Sequence, residues 1–347
     1  MRQLASIQKV VSVEPIEGSD FIEKIQILGW NLVAKKSEFQ VGDLAVYCEI
    51  DSIMPDRPEF EFLKQNGKMQ RIKTKKIRGI TSQGVAFPIE LAIDAFYNAS
   101  PELFNGNMIL NYKEGDDVTE FLGVIKYEPP EPFILGHSKG NFPSFLTKTD
   151  ETRIQSIPRI IEEMNGMPYY IAEKVDGSSS TFYFRDGEYG VCSRNQLKQE
   201  DDKCTFWKIS NKYNIRSILE NTGRNLAIQG EVAGVGIQKN RLNLKDVQLF
   251  VFNVFDIDNG TYFNFAELDQ FCRYYNLPMV KVIELNTSFE YKTVDELLEK
   301  AVGLYEGTNN QREGIVIRPL EETWSKVLKG RMSFKVVNNE YLLSGGT

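Results

Sequence analysis

Histidine is almost missing: the 347 residues contain one, His137. That scarcity argues against Ser-His or Cys-His activation. Cysteine is sparse as well. Cys48, Cys192, Cys204 and Cys272 are scattered with no CxxC pair, so a structural zinc cluster is not expected and buried, reduced thiols are. A surplus of positive charge is also lacking, since 41 Lys+Arg stand against 48 Asp+Glu, a formal net charge of −7 and a pI of about 5.2. Overall charge therefore does not advertise a nucleic-acid partner. Apolar runs are only a few residues long, far short of the ~20 that cross a bilayer, and Met1-Arg2-Gln3-Leu4 does not read as a signal peptide. The expectation is a soluble, cytoplasmic monomer without membrane contact. Any chemistry must run on Lys, Arg, Asp, Glu or a metal.

What is present suffices for real cores: 41% hydrophobic and 12% aromatic residues, in a length that suits about two domains at ~100–200 residues each. Residues 7–13, 22–34, 44–50, 71–77 and 84–88 are short β-rich runs broken by turn residues such as Val41-Gly42-Asp43, with Gly29 and Gly79 marking bulges or bends. Five such runs with few helices predict a small all-β barrel of the oligonucleotide-binding (OB) type over residues 1–125. Within it, residues 62–89 carry Lys64, Lys68, Arg71, Lys73, Lys75, Lys76 and Arg78 and no acidic side chain. That patch is a candidate nucleic-acid contact, and equally a solvated edge strand of the kind that keeps sheets from aggregating.

Residues 126–148, with Pro129-Pro130-Glu131-Pro132, Gly136, Gly140 and Pro143, are too rich in Pro and Gly for regular structure and read as a linker. From Thr149-Asp150 the spacing of Ile154, Ile157, Ile161 and Met164 predicts a helix that Gly166 and Pro168 end. Beyond it, strands are expected at 169–175, 181–184, 188–193, 226–232, 248–257 and 314–318, and helices near 202–221, 264–275 and 294–305. Hairpins beside helices, one at Asp186-Gly187, indicate an α+β domain over 149–347 built on antiparallel sheets.

Glu173-Lys174-Val175-Asp176-Gly177-Ser178-Ser179 ends an apolar strand with a lysine beside a carboxylate. A lysine there is a nucleophile only when deprotonated, which requires lowering its pKa from ~10.4 to near 7, about 4–5 kcal/mol. Read alone, Asp176-Gly177 is equally a plain turn flanked by a surface lysine. Other strands add inward-pointing groups: Gln229-Gly230-Glu231-Val232-Ala233-Gly234, Glu313-Gly314-Ile315-Val316-Ile317-Arg318 and Ser333-Phe334-Lys335-Val336-Val337.

Taken together these segments resemble the covalent nucleotidyltransferases, which include ATP-dependent RNA and DNA ligases and mRNA capping enzymes. Lys174-Val175-Asp176-Gly177 matches their Lys-x-Asp-Gly motif, Ser193-Arg194-Asn195 the next, Gly230-Glu231 the third, residues 250–256 the aromatic strand, Glu313-Gly314-Ile315-Val316 the fourth and Phe334-Lys335 the fifth. The order is the family's own. The run from Gly230 to Asn240 is similar to the long third motif of nick-sealing RNA ligases, and Ser179 stands where DNA ligases usually carry a basic or amide residue. A barrel preceding the catalytic domain, with Lys148-Thr149-Asp150-Glu151-Thr152-Arg153-Ile154-Gln155 at the junction, resembles the fifth RNA ligase family over nearly the whole chain.

The resemblance implies a nucleotidyltransferase domain that seals 3′-OH/5′-phosphate nicks in duplex RNA or RNA/DNA hybrids, with ATP and Mg²⁺ or Mn²⁺. It assigns Lys174 as the nucleophile, Asp176 and Glu313 to waters of the metal, and Lys335 to the α-phosphate, where it repels a proton from Lys174. It places Arg194 at the ATP phosphates or the incoming 5′-phosphate, Arg153 at the triphosphate, Glu231 at a ribose hydroxyl, and Asn195 and Glu173 in the ATP site. Phe252 is the expected adenine stacker, because strict alternation would keep Phe252 and Phe255 on opposite faces. Relatives often carry a second lysine two positions after the fifth-motif lysine; here that position is Val337, with Lys329 or Arg331 as possible sources of the charge. A DNA ligase, a capping guanylyltransferase using GTP, and a non-catalytic OB-type binding protein remain the alternatives.

Overall fold

The computed structural model describes residues 3–99, 111–128 and 135–346, and side chains in that set other than those of residues 97–99. The chain divides into two compact units, Met1–Pro129 and Pro130–Thr347.

In the first unit, alternating burial along Ile22–Ile27 and Trp30–Lys35 gives strands with one apolar face. The five-stranded sheet runs Val85–Pro88, Leu44–Cys48, Ala5–Pro15, Ile22–Ile27, Trp30–Lys35, antiparallel throughout. A bulge between Val10 and Ser12 lets the Ala5–Pro15 strand serve two neighbours. The run expected at 22–34 is therefore two strands of a hairpin, turned at Leu28-Gly29 with Leu28 at φ 53. The run at 71–77 is not a member of this sheet; Lys75–Ile77 pairs only with Ile80–Ser82. A helix, Glu90–Ala99, follows the last sheet strand.

The second unit is built on two sheets. A seven-stranded sheet runs Ser138–Asn141, Gln196–Lys198, Glu188–Ser193, Ser178–Arg185, Leu226–Ala233, Gln248–Asp256, Thr261–Tyr262. A five-stranded sheet runs Thr152–Arg153, Phe334–Val337, Gly314–Pro319, Tyr169–Lys174, Val282–Asn286. Each buries its outer face under helices. Phe206, Trp207, Ile209, Ile215 and Leu219 cover Phe182, Ile228 and Val254 of the first sheet. Ile160, Ile161, Met164, Leu297 and Ala301 cover Ile171, Ile315, Ile317, Phe334 and Val336 of the second. Alternation then turns residues 170, 172, 174, 316, 318, 335 and 337 inward, toward 229, 231, 233, 250 and 252 of the other sheet. The small inner cluster of Tyr170, Ala172, Val175, Ala233 and Val280, with Phe250 and Phe252 against it, joins the two faces.

Three expectations change. The continuous helix from Thr149-Asp150 is a short strand, Thr152–Arg153, a 3-10 turn, Ile154–Ser156, and a helix of five residues, Ile160–Met164. Pro158 lacks an N–H and disfavours helical backbone at Ile157, while pairing to Phe334–Val337 supplies the hydrogen bonds instead. The Pro/Gly-rich stretch holds an edge strand, Ser138–Asn141. The helix near 202–221 is two, Thr205–Lys212 and Ile215–Asn221, separated by Asn214 in the left-handed region.

All four cysteines are free and buried. Burial pushes the thiols of Cys48, Cys192 and Cys272 up to about 12. An alkylating reagent at neutral pH will accordingly modify them only after denaturation, which mass spectrometry of treated native and unfolded chain will show.

Candidate active site

Lys174 is the last residue of its strand, just before the chain crosses from one sheet to the other. Asp176-Gly177 is that crossover rather than a hairpin. Glycine is needed at 177 because a Cβ would stand 2.5 Å from the Val232 carbonyl oxygen. Gly314, at φ +152, is equally constrained: its Cβ would lie 2.1 Å from the Val336 oxygen. These two close approaches bring the motif ends together.

The Lys174 ammonium lies 2.8 Å from Glu313 Oε1. Tyr305 fixes this corner: its hydroxyl accepts from the backbone N–H groups of Asp176 (2.9 Å) and Glu313 (3.1 Å) and donates to the Lys174 carbonyl (2.9 Å). Tyr341 hydrogen-bonds the Asp176 carboxylate, and Arg241, 3.5 Å from Asp176 Oδ2, lies over the Tyr341 ring. Sequence reasoning missed Tyr305, Tyr341 and Arg241. Isolated aromatic or basic residues far from a motif carry no local signal.

Residues 147–153 form a strap across both sheets. Thr147 O accepts from Gln229 Nε2 at 2.8 Å, Lys148 Nζ donates to Asn195 Oδ1 at 3.0 Å, and Thr149 and Ser179 hydroxyls are 2.9 Å apart. Asp150 bridges Lys335 (3.0 Å) and Arg194 (2.7 Å), and Glu151 pairs with Arg318 at 2.9 Å. Arg153 is buried in register with Lys335. Lys174, Asp176, Glu231, Glu313, Lys335, Arg153 and Arg194 thus converge. Glu173 does not join them through its side chain, because alternation turns it to the other face, toward Arg312 and Lys281.

The electrostatics are those of an over-acidic pocket. Burial favours neutral Lys174, but the Glu313 carboxylate beside it outweighs burial and raises the pKa above the ordinary lysine value, with Glu231 adding to this only where it is ionised. Without ligand the amine therefore holds its proton, despite the repulsion that the resemblance assigns to Lys335. Lys335 is shifted down, by burial and by Arg153 and Lys174, against the pull of Asp150. Burial, with Glu313 and Asp176 as like charges, pushes Glu231 up to about 8; Asp176 moves the same way, by burial and Glu313.

An acid raised from 4.5 to about 8 keeps its proton in the folded state while the unfolded chain releases it. Stability of the ligand-free chain will therefore fall as pH rises between those values, and Glu231→Gln will flatten the slope. Thermal melts across pH measure this. The same shortage of positive charge suits a divalent cation on Asp176 and Glu313, since carboxylate oxygens are the donors Mg²⁺ and Mn²⁺ take. Among the described residues no three His, Cys, Asp or Glu side chains converge as a chelating group, so an ion there would keep water ligands.

Strict alternation fails on the aromatic strand. Gln229 pairs with Asn253 and Gly230 with Val251, leaving Phe252 in a bulge. The extra residue reverses the pattern, so Phe252 and Phe255 share a face. Phe255 packs with Tyr183 and Ala227 in a separate cluster and against Tyr262, whereas Phe252 is half-buried toward the inner pocket. Val337 is buried, Lys329 is exposed, and Arg331 is engaged by Glu322, Asn253 and the Tyr262 ring.

In the first unit the basic patch is partly neutralised by acids from outside its window. Lys64 pairs with Asp56 (2.6 Å) and Glu61 (3.0 Å), and Arg71 with Asp51 (3.6 Å). Arg78 donates to the Gly18 carbonyl at 3.1 Å. Lys68, Lys73, Lys75, Lys76 and Arg78 are exposed.

A family model described as an OB-fold domain matches residues 4–89, and one described as RNA ligase matches residues 167–337. A comparison with curated protein sequences found no match. Among solved structures, Naegleria gruberi RNA ligase with PPi is similar at 33% identity over 99% of each chain, TM-score 0.85. A point mutant of that ligase with ATP and Mn matches at 33% identity over 98% of each chain, TM-score 0.85. Another, with AMP and Mn, matches at 32% over 99% of each, TM-score 0.85. The chain therefore belongs to the RNA ligase family, among the members that carry an amino-terminal OB-fold domain.

Proposed function

We propose that this RNA ligase uses ATP and Mg²⁺ or Mn²⁺ to seal 3′-OH/5′-phosphate nicks in duplex RNA or RNA/DNA hybrids, as a cytoplasmic monomer. The observation that carries the reading is the convergence of Lys174, Glu313, Asp176, Glu231 and Lys335 on the inward faces of two sheets. ATP and Mn in structures of the Naegleria gruberi relative support the cofactors, and four free thiols fit a reducing compartment. No helix among the described residues is long and apolar enough to cross a membrane.

In this reading Lys174 Nζ attacks the α-phosphorus of ATP, an N–P bond forms and pyrophosphate leaves. The 5′-phosphate of the nick then takes the AMP and releases the amine, and the 3′-OH attacks that phosphate and expels AMP. Such chemistry rests on alignment and charge neutralisation. A divalent cation bound by Asp176 and Glu313 would offset the negative charge that now holds the proton on Lys174. Lys335 and Arg194 would exchange Asp150 for phosphate oxygens, Arg153 and Asn195 would take the rest of the triphosphate, and Glu231 a ribose hydroxyl. Phe252 would stack on adenine, with Glu173 contributing backbone only.

The exposed cations Lys68, Lys73, Lys75, Lys76 and Arg78 would grip the nucleic acid in the amino-terminal unit, with Lys64 and Arg71 available once their acids are displaced. Removing residues 1–125 will largely spare self-adenylylation and sharply lower nick joining; equal sealing by the shortened chain would refute that role. Matched nicks that differ only in the sugar on each side of the break test the substrate class. Faster sealing at an RNA 3′-OH supports the reading, and equal or faster sealing at a DNA 3′-OH makes the enzyme a DNA ligase.

A further inference from the structure

The strands that carry Arg318 and Lys335 are joined by residues 320–333, which form a hairpin, Trp324–Ser325 against Gly330–Arg331. The hairpin is firmly held. Glu163, from the Ile160–Met164 helix, accepts from Ser325 Oγ (2.6 Å) and from the N–H groups of Lys326 (2.6 Å) and Val327 (3.4 Å). At its root Arg331 donates to Asn253 Oδ1 at 2.8 Å and stacks 3.9 Å above Tyr262. Yet this fixed hairpin leaves Trp324 70% exposed, while the other two tryptophans, Trp30 and Trp207, are 0% and 7% exposed.

Trp324 and Arg331 are cross-strand partners, so their side chains rise from one face of the hairpin. Arg331 on that face reaches Asn253, next to the half-buried Phe252, so the face that carries the indole borders the strand of the expected adenine stacker. Lys326 and Lys329 on the same hairpin are exposed and make no ion pair among the described residues. Three acids lie on or against the hairpin: Glu322 pairs with Arg331, Glu321 accepts from Asn264 Nδ2 at 3.0 Å, and Glu163, held by the Ser325 hydroxyl and the Lys326 and Val327 N–H groups, also attracts the Lys326 charge. An exposed indole on a well-anchored hairpin whose loop carries two exposed lysines matches the chemistry of a nucleic-acid strand, whose bases offer flat π-faces and whose phosphates attract cations.

We propose that the hairpin is a nucleic-acid contact, in which Trp324 stacks on a base beside the break and Lys326 and Lys329 meet the adjoining phosphates. This rests on the nick-sealing reading of the site it borders. The test is a titration of the full chain with a nicked RNA duplex lacking the 3′-OH, read by tryptophan fluorescence. With Trp30 and Trp207 buried, quenching reports Trp324, and Trp324→Phe supplies the blank. Saturable quenching, absent in Trp324→Phe, is expected. Trp324→Ala should weaken binding about tenfold while Trp324→Phe, which keeps a π-face, binds close to the parent. Lys326→Ala with Lys329→Ala should lower the salt dependence of binding. The melting temperature of Trp324→Ala should match the parent, since the indole is exposed.

Unquenched fluorescence with parent-like affinity in Trp324→Ala would overturn the contact while leaving nick sealing intact. A change in self-association without a change in RNA affinity would also overturn it and make the hairpin a protein interface. Failure of the parent chain to bind or seal any nick would overturn the contact and the sealing reading together.

Discussion

Lys174→Ala will abolish covalent labelling by ATP, with the residual rate at least ~1,000-fold below the parent, because no neighbouring group replaces a covalent nucleophile. Lys335 is the nearest alternative amine by sequence motif, but it is paired with Asp150 at 3.0 Å and sits on a different strand. The loss should be confined to the first step. A nick that already carries AMP on its 5′-phosphate needs no amine and should still be joined by the mutant, more slowly because the charge is gone. Persistent labelling of Lys174→Ala would assign the nucleophile elsewhere. Radiolabel transfer from ATP and sealing of the adenylated nick, measured on one preparation, separate these outcomes.

Arg318→Met will produce the largest loss of stability. Arg318 is 3% exposed and donates to Ser333 Oγ (2.9 Å), Tyr170 OH (3.3 Å), the Phe252 carbonyl (2.8 Å) and Glu151 (2.9 Å). Removing it leaves the Glu151 carboxylate without its partner in a poorly solvated place, which costs about 3–5 kcal/mol. Denaturant unfolding should show that loss. Adding Glu151→Gln should recover much of it, since the uncompensated charge is then gone. The apparent ATP affinity should not recover, because the bulged Phe252 backbone has lost its donor. Full restoration of both by the double variant would show that Arg318 only neutralises Glu151.

The strands of the second unit were legible as apolar runs, and alternation along them places Lys174, Arg318, Lys335 and Glu231 on inward faces. Local pattern failed where tertiary pairing intervened. The helical spacing of Ile154, Ile157 and Ile161 marks a real buried face, but Pro158 and the parallel pairing of Thr152–Arg153 break the helix. The Phe252 bulge exists only in the register against Leu226–Ala233, so no period along one strand could reveal it. Tyr305 reaches the Lys174–Asp176 corner from 131 positions away, and nothing in its own neighbourhood marks it. The lysine-rich window lacks acids in sequence, yet Asp51, Asp56 and Glu61 fold against it.

The proton on Lys174 ties these features together: the Glu313 carboxylate, 2.8 Å away, holds it until positive charge enters the pocket. The direct measurement is intact-protein mass spectrometry of the chain after incubation with ATP, with and without Mg²⁺ or Mn²⁺, followed by peptide mapping. One added AMP, acid-labile, metal-dependent and located on the peptide containing Lys174, is the predicted result. An unmodified mass under every metal condition, or AMP on a peptide that excludes Lys174, would contradict the account.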